Sequence, residues 1–143
     1  MQVNELMTQN AECIGPDATL HEAAARMKAL DVGSLPVCDK DRLVGMLTDR
    51  DIAMRSVADG HDPRTDRVRD AMTPEVFLCF EDDDVADVAE LMREKQVRRL
   101  PVLNRAKQLV GIVSLGDLAV EIGDEQLAGH ALEGISAPAS PMR

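Results

Sequence analysis

Apolar positions along this chain follow two alternating spacings. Between residues 19 and 30 they recur at the spacing of one helical face, on Leu20, Ala23, Ala24, Met27 and Leu30. Apolar runs follow at 35–38 and 43–47, with the polar Asp39-Lys40-Asp41 between them, which is typical of two strands joined by a hairpin turn. A short strand near 11–14 and a helix over 51–58, ending at Gly60, complete the order strand, helix, strand, strand, helix.

The same order of elements returns in the second half of the chain. It predicts a strand at 76–80, a helix at 85–95, strands at 97–103 and 109–113, and a helix at 117–122. Three strings of residues recur almost unchanged: Met7-Thr8 as Met72-Thr73, Leu35-Pro36-Val37 as Leu100-Pro101-Val102, and Leu43-Val44-Gly45 as Leu109-Val110-Gly111. Residues 3–123 are therefore read as a tandem duplication.

The duplication predicts the domain organisation. We expect one repeat unit in residues 1–60, a polar linker in 61–66 and a second unit in 67–123. The C-terminal tail, residues 124–143, is rich in Ala, Gly, Ser and Pro, and we expect one helical stretch near 125–132.

The composition narrows the class of protein. The 143 residues carry a formal net charge of −10, so neither a nucleic-acid-binding nor a membrane-binding protein is expected. No apolar run approaches a membrane span and the N-terminus does not have the features of a signal peptide, so we expect a cytoplasmic protein. Three cysteines are too few for a secreted disulfide scaffold. Because the sequence contains no nucleophile motif, phosphate-binding loop or zinc-ligand spacing, we expect no enzyme, no catalytic residues and no metal site. Zinc held by Cys and His side chains from distant strands is the minor alternative.

Both repeats place a hydroxyl and a carboxylate where an apolar strand ends. In residues 45–51, Thr48 precedes Asp51 by three positions, and in residues 111–117 Ser114 precedes Asp117 in the same way. This pair at a strand-to-helix junction suits a ligand with a diol and an anion, such as a ribose phosphate. The same spacing is that of a plain helix N-cap, and from the spacing alone capping is favoured.

The doubled features resemble a tandem pair of cystathionine-β-synthase (CBS) domains, a Bateman module. The residues that carry the resemblance are the Met-Thr start, the Leu-Pro-Val strand and the junction with its glycine, hydroxyl and aspartate, each present twice. The resemblance implies a mixed α/β (α+β) fold of two βαββα units packed about a pseudo-twofold axis, with two clefts between them. It also implies an adenosine-containing ligand (AMP, ADP, ATP or S-adenosylmethionine), a homodimer and a regulatory role, with no cofactor required.

The resemblance assigns ligand contacts by position. The ribose-contacting positions are matched by Thr48, Asp51, Ser114 and Asp117. Basic positions that contact phosphates are matched by Arg98 and Arg99, although surface arginines that are merely solvated, or that serve the other cleft, are alternatives. The first repeat has Gly33 and Ser34 there, so the clefts are not equivalent and we expect the better anion site in the second repeat.

The adenine slot implied by the resemblance combines residues after the first strand of each repeat with those around its Leu-Pro pair. These are Ile14, Gly15, Leu35 and Pro36 in the first repeat, and Cys79, Phe80, Leu100 and Pro101 in the second. Phe80 suits stacking on a base, and ordinary core packing of its ring is the alternative.

Two cysteines form a separate candidate pair. Cys13 and Cys38 lie on the first and second strands of the first repeat, which are neighbours in a CBS fold, and their repeat counterparts are the apolar Leu78 and Leu103. A disulfide between them is one outcome, provided that their Cα atoms lie within about 7 Å. Buried free thiols, which a reducing cytoplasm favours, are the other.

Two functions from different classes remain open at this point. The leading hypothesis is a non-enzymatic regulatory or sensor protein that binds an adenosine-containing ligand in the clefts between the repeats. The alternative is a nucleotide-free dimeric module whose surface recognises an unidentified protein partner. The uncharged Gly33-Ser34 wall keeps the alternative open, because one cleft can be empty.

Overall fold

The computed structural model of the protein describes residues 1–9, 11–74 and 76–121. The helical stretch predicted near 125–132 and the rest of the tail lie outside the described residues. In chain order the elements are a 3-10 turn (Val3–Glu5), β1 (Thr8–Gln9), α1 (Leu20–Leu30), β2 (Ser34–Asp39), β3 (Arg42–Thr48), α2 (Asp49–Ile52) continued by a π-helical turn (Ala53–Val57), α3 (Val68–Ala71), β4 (Cys79–Phe80), α4 (Val85–Lys95), β5 (Arg99–Leu103), β6 (Leu109–Ser114) and α5 (Leu115–Glu121). The mixed α/β class is confirmed.

The predicted elements differ from the observed ones mainly at their ends. The strand predicted near 11–14 is reduced to a single parallel bridge between Ile14 and Val37, and the strand predicted at 76–80 is only Cys79–Phe80. The last helix of each repeat begins two positions earlier than predicted, at Asp49 and at Leu115. The reason is that Thr48 and Ser114, and not the aspartates after them, mark the junction between strand and helix.

The described residues form two compact units. The first-repeat unit contains the described residues of Ala11–Val76, and the second-repeat unit contains those of Met1–Asn10 and Phe77–Arg143. In the first-repeat unit β2 and β3 form an antiparallel hairpin. In the second-repeat unit four strands form a sheet in the order β1-β6-β5-β4, in which β5 and β6 are the matching hairpin.

Each unit has its own aliphatic core, built from the helical and strand faces that the apolar spacing predicts. In the first-repeat unit the core cluster contains Ile14, Leu20, Ala23, Met27, Leu35, Val37, Leu47, Ile52, Val68 and Ala71. In the second-repeat unit the core cluster contains Val3, Leu6, Cys79, Val85, Val88, Ala89, Met92, Leu100, Val102, Val113 and Leu118. Apolar burial of this kind is the main stabilising term for both units.

The two repeats exchange their Met-Thr segments. Thr8 of the first repeat pairs with Ile112 of β6, and Thr73, at the start of the second repeat, forms a bridge with Met46 of β3. The glycines of the two strands make this possible, because a Cβ at Gly111 would lie 2.6 Å from the Thr8 carbonyl oxygen and a Cβ at Gly45 would lie 2.7 Å from that of Thr73. The same contact therefore occurs twice, and each time a Met-Thr segment packs against a strand glycine of the other repeat.

The predicted linker is attached to the first-repeat unit through Asp66. Its Oδ2 accepts a hydrogen bond of 2.9 Å from the buried hydroxyl of Ser56 and lies 3.1 Å from Nδ1 of His61. The Asp66 carbonyl also accepts from the backbone N–H of Leu20, at the start of α1. Arg55, in the π-helical turn, donates to the carbonyl oxygens of Ala71 and Met72 at the end of α3. Among the described residues, no helix is long and apolar enough to cross a membrane.

Candidate functional site

Each strand-to-helix junction is closed by a reciprocal capping box. The backbone N–H of Thr48 donates to Asp51 Oδ2 at 3.0 Å, and the N–H of Asp51 donates to Thr48 Oγ1 at 3.0 Å. In the second repeat the N–H of Ser114 donates to Asp117 Oδ2 at 2.9 Å, and the N–H of Asp117 donates to Ser114 Oγ at 3.1 Å. The capping role that the spacing favoured is therefore present in both repeats.

Capping uses only one oxygen of each carboxylate. Within the described part of the chain, Oδ1 of Asp51 and Oδ1 of Asp117 accept no hydrogen bond. Both side chains are half-buried and are fixed in orientation by the bond to Oδ2. An aspartate held in this way retains an acceptor for a ligand hydroxyl, so capping and ligand contact are compatible.

The strand register brings the residues before each Leu-Pro pair to the same junction. Ser34 is paired with Thr48 across β2 and β3, and Arg99 is paired with Ser114 across β5 and β6. The carbonyl of Gly33 accepts from the N–H of Asp49 at 2.9 Å, and that of Arg98 accepts from the N–H of Leu115 at 2.8 Å. Each repeat therefore places its ribose-type and its phosphate-type candidate positions side by side.

The candidate adenine residues are mostly buried in the cores. Ile14, Leu35, Cys79 and Leu100 are at most 5% exposed, and Pro36 and Pro101 are also buried. Their side chains pack inside the units, so a ligand can contact these positions mainly through the backbone. Gly15 differs, because it is exposed and has no atom within 4 Å of the place where its Cβ would be.

The ring of Phe80 already has a partner. The guanidinium group of Arg105 lies 4.6 Å from the centroid of the ring, which is a cation–π contact. Arg105 also forms a 2.6 Å hydrogen bond to Asp82 Oδ1, and this bond lowers the pKa of the Asp82 carboxyl. A base that stacked on this face of Phe80 would have to displace Arg105, a contact that could not be predicted from the spacing of the two residues along the chain.

The structure brings Cys13 and Cys38 together. Ile14, next to Cys13, donates its N–H to the Pro36 carbonyl at 3.0 Å and accepts from the N–H of Cys38 at 3.0 Å. The Cys13 thiol neighbours the Cys38 thiol, and both cysteines are free. Burial, followed by the neighbouring Cys13 thiol, raises the pKa of Cys38 to about 12.

We predict that these two thiols form a disulfide when the purified protein is treated with hydrogen peroxide. The reaction removes two protons and two electrons from the thiol pair, forms the S–S bond, and reduces one molecule of peroxide to two molecules of water. It should be slow at neutral pH, because the high pKa of Cys38 keeps its thiol protonated. Non-reduced peptide mapping should show the linked peptide. Cys79 is the matched control, because it is also buried and should stay unlinked. A linkage that includes Cys79, or none after long treatment, would contradict the prediction.

Asp49 is a residue of the junction that the sequence reasoning did not single out. Its Oδ2 lies 3.3 Å from the position that a Cβ on Gly33 would occupy, while Oδ1 accepts from the backbone N–H of Arg50 at 2.8 Å. Aligning the two repeats would have identified Asp49, because the equivalent position in the second repeat is the uncharged Leu115.

Comparison with known proteins identifies the family of this chain. The CBS domain family matches residues 3–57 and 68–124, which together span most of the chain. The chain belongs to the CBS-domain family. The CBS domain-containing protein YhcV of Bacillus subtilis is 42% identical to it over 134 residues, which are 94% of this chain and 94% of YhcV. Hypoxic response protein 1 of Mycobacterium tuberculosis is 37% identical over 140 residues, 96% of this chain and 94% of that protein. The match to a stand-alone CBS pair is confirmed.

Solved structures of CBS proteins share this fold. Hypoxic Response Protein I, solved with two coordinated zinc ions, is 38% identical with a TM-score of 0.76, covering 83% of this chain and 97% of that one. The CBS domain pair of MJ0100, in complex with 5-methylthioadenosine and S-adenosylmethionine, is 26% identical with a TM-score of 0.75, covering 86% and 100%. CBSX2 in complex with AMP is 27% identical with a TM-score of 0.72, covering 85% and 98%. Among the described residues of the present chain, no group of three or more His, Cys, Asp or Glu side chains is arranged to hold a metal ion.

Proposed function

We propose that this CBS-domain protein is a non-enzymatic regulatory protein that binds an adenosine-containing ligand at its strand-to-helix junctions. The observation that carries the proposal is Oδ1 of Asp51 and of Asp117, which accepts no hydrogen bond from the described residues while a capping box holds each side chain in place. In this proposal Thr48, Asp51, Ser114 and Asp117 contact the ribose, and Arg98 and Arg99 contact phosphate. The backbone near Ile14, Gly15 and Pro36, or near Cys79 and Pro101, contacts the adenine edge.

The CBS relatives support this ligand class. The MJ0100 pair holds S-adenosylmethionine and 5-methylthioadenosine, and CBSX2 holds AMP, so adenosine is the part that these ligands share. The matches to enzymes are partial. Inosine-5'-monophosphate dehydrogenase of Methanocaldococcus jannaschii is 33% identical over 118 residues, but the match covers only 23% of that enzyme. The proposed domains are residues 1–60 and 67–123 joined by 61–66, bounds close to the two family matches.

A second candidate function is protein recognition, and an apolar groove on the first-repeat unit favours it. The groove has a volume of about 360 Å³ and lies between α1 and the helix that starts at Asp49. Most of its lining is apolar, with Ala24, Met27, Ile52 and Val57 among these residues, and the charged lining residues are Lys28, Asp31 and Asp49. Val57 is 58% exposed, and Leu30 and Met54, outside the lining, are 40% and 56% exposed. Apolar exposure of this kind marks surfaces that a partner covers. In this proposal the partner is a second copy, which gives a homodimer, or an unidentified protein.

We predict that AMP or S-adenosylmethionine raises the thermal stability of the protein. At a ligand concentration of 100 times Kd, a ligand that binds only the folded state adds about 2.7 kcal/mol to the free energy of unfolding. A thermal-shift series with AMP, ADP, ATP and S-adenosylmethionine measures this. A series without any shift would favour the nucleotide-free interaction module.

Two variants connect the shift to the junctions. Asp51→Asn and Asp117→Asn should each reduce the ligand-induced shift, because the amide replaces the acceptor for the ribose hydroxyls by a mixed donor and acceptor. Asp70→Asn is the control, since Asp70 Oδ2 accepts from the N–H of Arg67 at 3.0 Å and so makes the carboxylate half of such a cap at the start of α3. It should lower stability like the others but leave the ligand-induced shift unchanged.

A further inference from the structure

The two junctions carry opposite net charge. At the first, residues 33, 34 and 48–51 include two carboxylates, Asp49 and Asp51, and one cation, Arg50, which makes a net charge of −1. At the second, residues 98, 99 and 114–117 include two cations, Arg98 and Arg99, and one carboxylate, Asp117, which makes a net charge of +1. The strand pairings and the carbonyl bonds described above hold these residues together in each repeat.

The extra carboxylate of the first junction is fixed in place. The N–H of Asp49 donates to the Gly33 carbonyl, and its own Oδ2 lies 3.3 Å from the point where a side chain on residue 33 would begin. Residue 33 is the position at which the second repeat has Arg98. The first junction therefore presents a negative charge where the second presents a positive one, and a phosphate there would be repelled.

The cations of the second junction are unpaired within the described part of the chain. Arg98 and Arg99 are both exposed, and neither is hydrogen-bonded or ion-paired through its side chain. Other arginines of the same unit differ, since Arg93 is bound to Glu90 and Arg105 to Asp82. The chain has 26 acidic residues, yet among the described ones no carboxylate pairs with these two adjacent arginines, so their planar donor groups suit an external anion.

From these charges we infer that the two junctions select different adenosine compounds. The second junction takes a compound with a 5′-phosphate. The first takes a compound whose 5′ substituent is uncharged or positively charged, such as a thioether or a sulfonium, and Asp49 is the residue that determines this selectivity. The inference rests on the proposed function and names the ligand class of each of its two sites.

Isothermal titration with AMP and S-adenosylmethionine tests the inference one junction at a time. Asp117→Asn weakens the second junction and Asp51→Asn weakens the first, so the unchanged junction should dominate binding in each variant. Protein carrying Asp117→Asn should bind S-adenosylmethionine about tenfold more tightly than AMP, and protein carrying Asp51→Asn should show the reverse order. Equal affinities for the two compounds at both junctions would overturn the inference while leaving the proposed function intact. If neither compound binds to the wild type or to any variant, both are overturned.

Exchanging residues between the repeats then tests Asp49 and Arg99 directly. Asp49→Leu introduces the residue of position 115 and, in the Asp117→Asn background, should raise affinity for AMP about tenfold and lower that for S-adenosylmethionine. Asp49→Asn keeps the shape, removes the charge and should act in the same direction.

Arg99→Ser introduces the residue of position 34 and should weaken AMP binding about tenfold in the Asp51→Asn background. Arg42→Ser, at another exposed arginine, is the control and should change neither affinity. Affinities that do not respond to the exchanges would show that Asp49 and Arg99 do not select the ligand.

Discussion

Replacing Gly111 by alanine is expected to lower the free energy of unfolding by about 1–3 kcal/mol. The added Cβ would lie 2.6 Å from the Thr8 carbonyl oxygen and 2.9 Å from Sδ of Met7. The methionine can move, but the carbonyl belongs to β1, which is paired with β6 at this point. Relief of the clash therefore requires β1 to separate from β6. Gly45→Ala should behave alike, because its Cβ would lie 2.7 Å from the Thr73 carbonyl oxygen.

Chemical denaturation of the variants measures this effect, and the chain offers a matched control. Gly15→Ala adds the same methyl group where no atom lies within 4 Å, so its stability should remain close to that of the wild type. Valine at position 111 should be more destabilising than alanine, since the larger side chain increases the clash. If Gly111→Ala were as stable as Gly15→Ala, the contact between the Met-Thr segment and the strand would be looser than the structure shows.

Stability is expected to fall steeply above about pH 9, because the folded protein holds two thiol protons that the unfolded chain releases. Burial raises the pKa of Cys38 and of Cys79 from 9.0 to about 12. Because the pKa of each thiol is higher in the folded state than in the unfolded state, each thiol contributes to the free energy of unfolding. This contribution is fully present below pH 9 and is lost as pH rises toward 12. Within that window each thiol changes the free energy of unfolding by about 1.4 kcal/mol per pH unit.

Denaturation curves between pH 8 and about pH 11 test this prediction. The informative comparison is the slope of stability against pH and not the absolute stability, because lysine side chains also titrate in this range. Cys79→Val removes one of the two buried thiols, so the slope of stability against pH should lose the part that this thiol contributes. Cys13→Ser should lower the part that Cys38 contributes, but not abolish it. Burial is the larger cause of the raised pKa of Cys38, and the neighbouring thiol is the smaller one. Equal slopes for the wild type and Cys79→Val would contradict the prediction.

Some of the candidate site could be read from spacing within a few residues. The hydroxyl and carboxylate three positions apart predicted both junctions, and the structure shows the reciprocal bonds at 2.9 to 3.1 Å. The identity of the ligand and the contacts of Arg98 and Arg99 remain predictions. Sequence reasoning missed the contact between Asp49 and residue 33, since that contact exists only when a strand start and a helix start are brought together by the hairpin.

The duplication, the helical faces, the hairpins and the capped junctions could be predicted from the amino-acid sequence, because each depends on periodicity, repetition or hydrogen bonding that is visible along the chain. Other features became visible only in the folded chain: which repeat each Met-Thr segment joins, how much of the first strands remains paired, and the contact of Arg105 with the ring of Phe80. These features depend on pairing between distant residues. Because the sequence is duplicated, both repeats contain the same strand glycine, and a Met-Thr segment could pack against either one. The local sequence therefore does not predict which glycine each segment contacts, and the folded chain shows it.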